Sequence, residues 1–300
     1  QYVIDCVKGG GKFMDCTNRH AYLIIAHNEP SLLQTLVSCI DYKRNDIFVL
    51  IDKKANIRQF RSLKTYKSNL VYARRINVWW GEVSQIKAEL ILFETAFNYG
   101  SYSYYHLLSG VDLPLQSQDY IHDFFETNAG KEFVGFDYSS NAQERLLYHH
   151  FFMKWARVKH VSRITSKLGI KLIAIQKKLN LKRKIDFEVK KGTNWCSVTS
   201  DFVKYLLEHK NWILKTYKNT CCCDEVFLHS LLWNSPFKDN VFEGKTEYEQ
   251  NLREIDWKRG SPYTYTIEDK ELLLHSNKLF ARKFSSKYMD IVEEVKKKVL

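Results

Sequence analysis

Residues 220–237 read "TCCCDEVFLHSLLWNSPF", three adjacent cysteines followed at once by two adjacent carboxylates and an apolar run. A structural zinc site needs spaced ligands that reach a tetrahedron, and a redox pair needs the C-x-x-C spacing. Cys221, Cys222 and Cys223 offer neither, so they read as small, mostly buried fillers. The acids then carry the chemistry. Asp224 is placed to cap a helix and Glu225 to sit in its first turn, where the helix dipole favours a charged carboxylate. Leu228, Leu231 and Leu232 fall on the face of that helix expected to pack inward. By pattern alone Glu225 is a helix-start carboxylate, and an ionised carboxylate is also what a general base requires.

The elements that must position these acids are legible along the first 140 residues. "AYLIIAHNEP", "DIFVLIDKKA", "INVWWGEV", "YYHLLSGVDLPLQS" and "EFVGFDYSS" are short apolar runs, most of them closing on polar turns. Between them lie stretches of helical spacing such as "SLLQTLVSCI" and "SQIKAELILFETAFNYG". This alternation predicts an α/β fold, with a mostly parallel sheet covered on both faces. Ligands of such sheets sit at the carboxyl ends of the strands, which here carry His27, Asn28, Asp52, Glu82, Ser109 and Asp112. No glycine-rich dinucleotide fingerprint follows the first run, and no P-loop motif is present, which excludes a P-loop ATPase. Asp-x-Asp, which would hold a divalent metal against a diphosphate, occurs nowhere in the chain. A bound diphosphate would therefore be neutralised by side chains and not by a metal. The candidates are late in the sequence: Arg253, Lys258, Arg259, Arg282 and Lys283.

With 300 residues, 45% of them apolar, 12 glycines and 4 prolines, the chain has ample material for a packed core. It divides into a peripheral extension (1–19), an α/β half (20–140), a basic helical segment (141–190) and a second half (191–300). In the second half "NWCSVTS" reads as a strand, followed by a helix capped by Ser200 or Asp201. "YEQNLREIDW", "SPYTYTI" and "KLFARKF" read as short strands ahead of a closing basic helix. The formal net charge is +12, and twelve lysines and arginines with no acid lie between Arg145 and Ile185. An anionic partner is implied: a nucleotide, a nucleic acid or a lipid surface. The segment reads as one or two helices, with Gly169 as a break. Seven cysteines, three of them contiguous, give no disulfide framework, and no run reaches the roughly 18 apolar residues of a spanning helix. A reducing, cytoplasmic setting is the simplest expectation, with residues 145–184, from Arg145 to Lys184, docking peripherally on an anionic membrane.

Seven stretches occur in a fixed order: "AYLIIAHNEPSLLQTL", "IFVLIDKKA", "WWGEVSQIKAEL", "HLLSGVDLPLQS", "GTNWCSVTSDFVKYLL", "CCDEVFLHSLL" and "LFARKF". Together they resemble the core-2/I-branching β-1,6-N-acetylglucosaminyltransferase family, which includes the peptide O-xylosyltransferases, over about residues 20 to 285. The chain is similar to a short, soluble, bacterial-type member. The resemblance implies a GT-A-like single catalytic domain with a mixed strand and helix portion at its C-terminus. It implies a UDP-sugar donor, no metal or other cofactor, and inversion at the anomeric carbon. It puts the catalytic base on Glu225 and a phosphate-neutralising lysine on Lys283, with Arg253 or Arg259 as its arginine partner. The uridine is expected near Ala26, His27, Val49, Ile51 and Glu89, and the donor ribose or sugar near Asp112. Trp195, with Asp224, would line the sugar pocket, as aromatic walls commonly do. N-acetylglucosamine and xylose donors remain open, as do the acceptor, a glycan or lipid-linked oligosaccharide, and its linkage. A basic nucleic-acid-binding or membrane-binding protein without catalysis is the competing class, although no nucleic-acid module is recognisable.

Overall fold

The computed structural model describes residues 18–139, 142–158 and 161–300, so the expected extension lies, up to residue 17, outside the described residues. The described strands are β1 (His20–Ala26), β2 (Asn45–Ile51), β3 (Asn69–Tyr72), β4 (Tyr104–Ser109), β5 (Asp112–Pro114), β6 (Ser197–Thr199), β7 (Arg253–Ile255) and β8 (Phe280–Arg282). One sheet has the order β3-β2-β1-β4-β6, its first four strands parallel and β6 antiparallel. A smaller sheet, β5-β8-β7, stands beside it. The fold is α/β, as the alternation predicts, and agrees with a GT-A-like architecture.

The helices are α1 (Pro30–Ile40), α2 (Ser84–Tyr99), α3 (Gln118–Thr127), α4 (Glu144–Leu147), α5 (Ser162–Lys178), α6 (Ser200–Glu208), α7 (Lys210–Thr216), α8 (Phe227–Trp233), α9 (Glu247–Gln250), α10 (Lys270–His275) and α11 (Met289–Val299). They cover both faces of the main sheet. Leu23, Phe48 and Leu107 point into one apolar layer with Phe93 of α2, Phe202 of α6 and Leu228 of α8. Tyr22, Ile24 and Val49 point into the other, against Leu36 of α1, Phe125 of α3, Ile291 of α11 and Phe280 of β8. Alternation along each strand puts neighbours on opposite faces, and with both faces covered the strands read as unbroken apolar runs. Segments 20–140 and 191–300 interleave, because β6 joins the main sheet while β5 pairs with β8.

Five local expectations change. "EFVGFDYSS" makes only isolated bridges, at Glu132 and Phe133. Its following N–H groups go elsewhere, from Phe136 to Gln250 Oε1 and from Asp137 to the carbonyl of Lys191. "YEQNLREIDW" splits into α9 and β7, and "SPYTYTI" forms no strand. Gly169 does not interrupt α5, and the cap of α6 is Thr199, whose hydroxyl accepts from the Phe202 N–H at 3.2 Å.

Behind the site, His20, His106 and His122 are wholly buried. His106 bonds His20 at 3.0 Å and Ser197 Oγ at 2.8 Å, and His122 bonds Asn45 Oδ1 at 2.8 Å. Burial lowers the pKa of all three, that of His122 to about 3. An unfolded imidazole takes up its proton near pH 6.5, so the folded state loses stability relative to it as pH falls below that value. From about pH 7.5 to pH 5 the loss from His122 alone is about 2 kcal/mol. His122→Gln, which keeps an N–H for Asn45, should therefore gain about that much on the native protein over the same interval. Urea midpoints at the two pH values check this, and an equal offset at both would contradict it.

Candidate active site

The register places the ends of β1, β2 and β4 level: Ala26 pairs with Ile51, and Ile25 with Ser109. Beyond those ends opens a cleft of about 560 Å³. Ala26, His27 and Asn28 form one wall with Ser109 and Gly110, and Trp79 and Trp80 form another. Trp195 and Arg282 close it, and Met153, Lys154 and Arg157 reach in from the segment ahead of α5. Gly81, with φ +70, turns the chain after the two tryptophans, and a Cβ there would lie 2.8 Å from the Met153 side chain.

Among the described residues four cations line the cleft, Lys54, Lys154, Arg157 and Arg282, against one carboxylate, Asp52. They lie against aromatic faces. The Lys54 ammonium is 4.1 Å from the Trp79 ring centre, the Arg157 guanidinium 3.6 Å from that of Trp80, and the Arg282 guanidinium 4.5 Å from that of Trp195. Asp52 pairs with Lys54 at 3.3 Å. Arg282 faces Asp112 across the β5–β8 ladder, pairs with it at 2.9 Å, and donates also to Ser109 Oγ. Asp112 is thus occupied, accepting from the Ser109 N–H at 2.8 Å and hydroxyl at 2.6 Å. Burial lowers the pKa of His27, so near neutrality it presents an uncharged ring. Such a cleft suits a ligand with a flat ring and a multiply charged anionic group.

The acids stand beside it. Residues Cys223–Glu225 form a 3-10 turn after Cys222 in a left-handed conformation, φ 47, and α8 begins only at Phe227. Asp224 is therefore not the cap of α8, and the helix dipole is not what acts on Glu225. Asp224 Oδ2 instead accepts from Gln85 Nε2 at 2.7 Å, and Gln85 lines the cleft. Burial, then the charge of Glu225, pushes Asp224 up to about 7. Glu89 of α2 is likewise raised well above the ordinary carboxylate range, by burial first and Asp224 second, and accepts from Asn194 Nδ2 at 3.3 Å. Glu225, its side chain 40% exposed, accepts from Arg145 Nη1 at 2.6 Å. Its carbonyl accepts from the Gly192 N–H at 3.0 Å, at a place where a Cβ would fall 1.8 Å from the Gly135 carbonyl. The loop through Gly192 and Asn194 thus holds Glu225, Glu89 and Trp195 in one neighbourhood. Cys223 is buried packing, whereas Cys221 and Cys222 are partly exposed with their sulfurs 3.8 Å apart. All five described cysteines are free.

The sequence-derived residues are divided by this geometry. Ala26, His27 and Trp195 line the cleft, Asp224 adjoins it through Gln85, and Glu225 follows Asp224 in the same turn, paired with Arg145. Val49 and Ile51 do not line it; their side chains lie in the layer under α1. Glu89 belongs with the buried acids and not with the strand ends. Arg253, 2% exposed, donates to the carbonyls of Asn251 and Cys196 and to Ser197 Oγ, and lies over Phe280, which removes it from the anion-binding candidates. Arg259 is held by Asp256 at 2.6 Å and Asp269 at 2.7 Å, outside the cleft. Lys283 does not line the cleft, whereas Arg282, the last residue of β8, does. Sequence reasoning missed Lys54, Trp79, Trp80, Gln85, Lys154 and Arg157 as lining residues. Two adjacent tryptophans in "INVWWGEV", and "DKK" at the close of "DIFVLIDKKA", were the available signals.

A mostly parallel sheet thus carries at its carboxyl edge a cationic, tryptophan-walled cleft beside a cluster of acids, a site suited to an anionic ligand. A family model described as Core-2/I-Branching enzyme matches residues 20–274. The chain belongs to that family, whose members are glycosyltransferases, and is an enzyme of that class. No curated protein matches it. No described helix is long and apolar enough to cross a membrane.

Proposed function

We propose that the protein transfers a sugar, N-acetylglucosamine in β-1,6 linkage, from a UDP-sugar to a glycan hydroxyl, with inversion and without a metal. The observation that carries this reading is the balance of charge in the cleft: four cations and one carboxylate, itself paired with Lys54, beside the turn that holds Glu225. A metal–diphosphate site is built from carboxylates; a cleft built from cations neutralises the diphosphate directly. The uracil ring would stack in the cleft near His27, with the diphosphate toward Lys54, Arg157 and Arg282. Lys283, whose side chain makes no ion pair among the described residues, adds positive potential next to Arg282.

In the reaction the acceptor oxygen attacks C1 of the donor sugar as the bond from C1 to the diphosphate oxygen breaks. Glu225 takes the hydroxyl proton, and the cations stabilise the charge that gathers on UDP. Glu89 and Asp224, pushed toward their neutral forms by burial, are poorer proton acceptors at pH values below their raised pKa. Arg145 holds the Glu225 carboxylate in one orientation, which matters because a base must lie within hydrogen-bond reach of its proton.

The test is a hydrolysis and thermal-shift screen with UDP-N-acetylglucosamine, UDP-xylose, UDP-galactose and UDP-glucose, repeated in EDTA. Turnover of UDP-N-acetylglucosamine that is unchanged by EDTA is expected. Preference for UDP-xylose would move the donor assignment, and loss of activity in EDTA would end the metal-free reading.

A further inference from the structure

The basic segment is not one surface. Arg145 is spent on Glu225, Lys154 and Arg157 enter the cleft, and Arg183 donates to the carbonyls of Leu146 and Thr216. What remains is α5 and the residues after it. α5 packs on the body through Thr165, Leu172, Ile173 and Gln176 and leaves its opposite side to solvent. Between the packed face and that side, Ile164, Leu168, Ile175 and Leu179 recur at helical spacing as one stripe, with Ile164 68%, Ile175 50% and Leu179 59% exposed. Lys167, Lys171 and Lys178 flank the stripe, and Arg163, Lys182 and Lys184 extend it; all are exposed, and none makes an ion pair among the described residues.

We propose that this face of α5 docks on a bilayer containing anionic lipid. An aqueous surface gains nothing from a row of exposed isoleucines and leucines, and a protein partner with an apolar groove would not need an acid-free border of lysines. A bilayer interface takes both, the apolar stripe entering the acyl boundary and the lysines meeting anionic headgroups. The segment leading into α5 carries Lys154 and Arg157 of the cleft, so docking would set the cleft at a fixed distance from the membrane. This surface does not depend on the transferase reading, since vesicle binding requires no turnover.

The experiment is sedimentation of the full chain with phosphatidylcholine vesicles with and without phosphatidylglycerol, at low and high salt. Binding is expected to anionic vesicles only and to weaken with salt. Lys171→Gln with Lys178→Gln should weaken it about 25-fold, about fivefold for each lysine. Ile164→Gln with Ile175→Gln should weaken it at least about tenfold. UDP-sugar hydrolysis should be unchanged in both variants, which shows that each is folded. Equal affinity for neutral and anionic vesicles would overturn the proposal, as would absence of binding or variants that bind as the native chain does. A dimer dissociated by Ile164→Gln with Ile175→Gln, or RNA binding lost in the lysine variant while vesicles are ignored, would assign the face to a different partner.

Discussion

Replacing Glu225 with glutamine is expected to lower kcat by about 10² to 10⁴ while leaving UDP affinity within about threefold. Glutamine has the same shape, and its carbonyl oxygen can still accept from Arg145 Nη1, now 2.6 Å from the carboxylate. Only the capacity to take a proton is lost, so the effect belongs to kcat and not to donor binding. Single-turnover measurements with saturating donor separate the two. Turnover within tenfold of the native enzyme would remove Glu225 as the base and turn attention to Asp224, whose Oδ1 is buried and without a partner. Asp224→Asn should have the smaller effect, because Gln85 can reorient its amide toward the new side chain.

Arg253→Met is expected to lower stability by about 2–4 kcal/mol, with the donor KM of the folded fraction unchanged. The guanidinium lies among the carbonyls of Asn251 and Cys196, Ser197 Oγ and the Phe280 ring, and burial lowers its pKa to about 10. Methionine fills the space but takes a donor from each acceptor in an interior closed to water: the Asn251 carbonyl loses its Arg253 bond, while the Cys196 carbonyl keeps the Leu107 N–H and Ser197 Oγ keeps His106. The urea midpoint reads the loss, provided the m-value is unchanged. A raised donor KM at native stability would instead return Arg253 to the phosphate site.

Why these arginines could not be sorted beforehand is a matter of distance. Arg253, Arg259 and Arg282 lie within thirty residues of one another and are alike as letters. Their fates depend on partners far along the chain: Cys196 and Ser197 for Arg253, Asp112 and Trp195 for Arg282. Only Arg259, held by Asp256 three residues away and by Asp269, had its partners nearby. Lys154 and Arg157 show the same limit, because a charge run in sequence does not say which of its members turn inward.

What the sequence settled by itself was whatever repeats locally. Apolar runs closing on polar turns specified β1, β2 and β4 and the edge at which His27 stands, since a strand buried on both faces must be apolar throughout, whereas the half-exposed β3 was not among them and "INVWWGEV" forms no strand. The order of seven stretches carried the family, and the adjacent acids at Asp224 and Glu225 drew attention as letters alone. The tertiary structure decided the electrostatics. It ended the 3-10 turn before α8 began, so that Arg145 and not a helix dipole meets Glu225. It also buried Glu89 and Asp224 together and brought Arg282 to Asp112 through the β5–β8 ladder. Burial and charge pairing are properties of places in the fold, and residues remote in the chain come to share a place only when it folds.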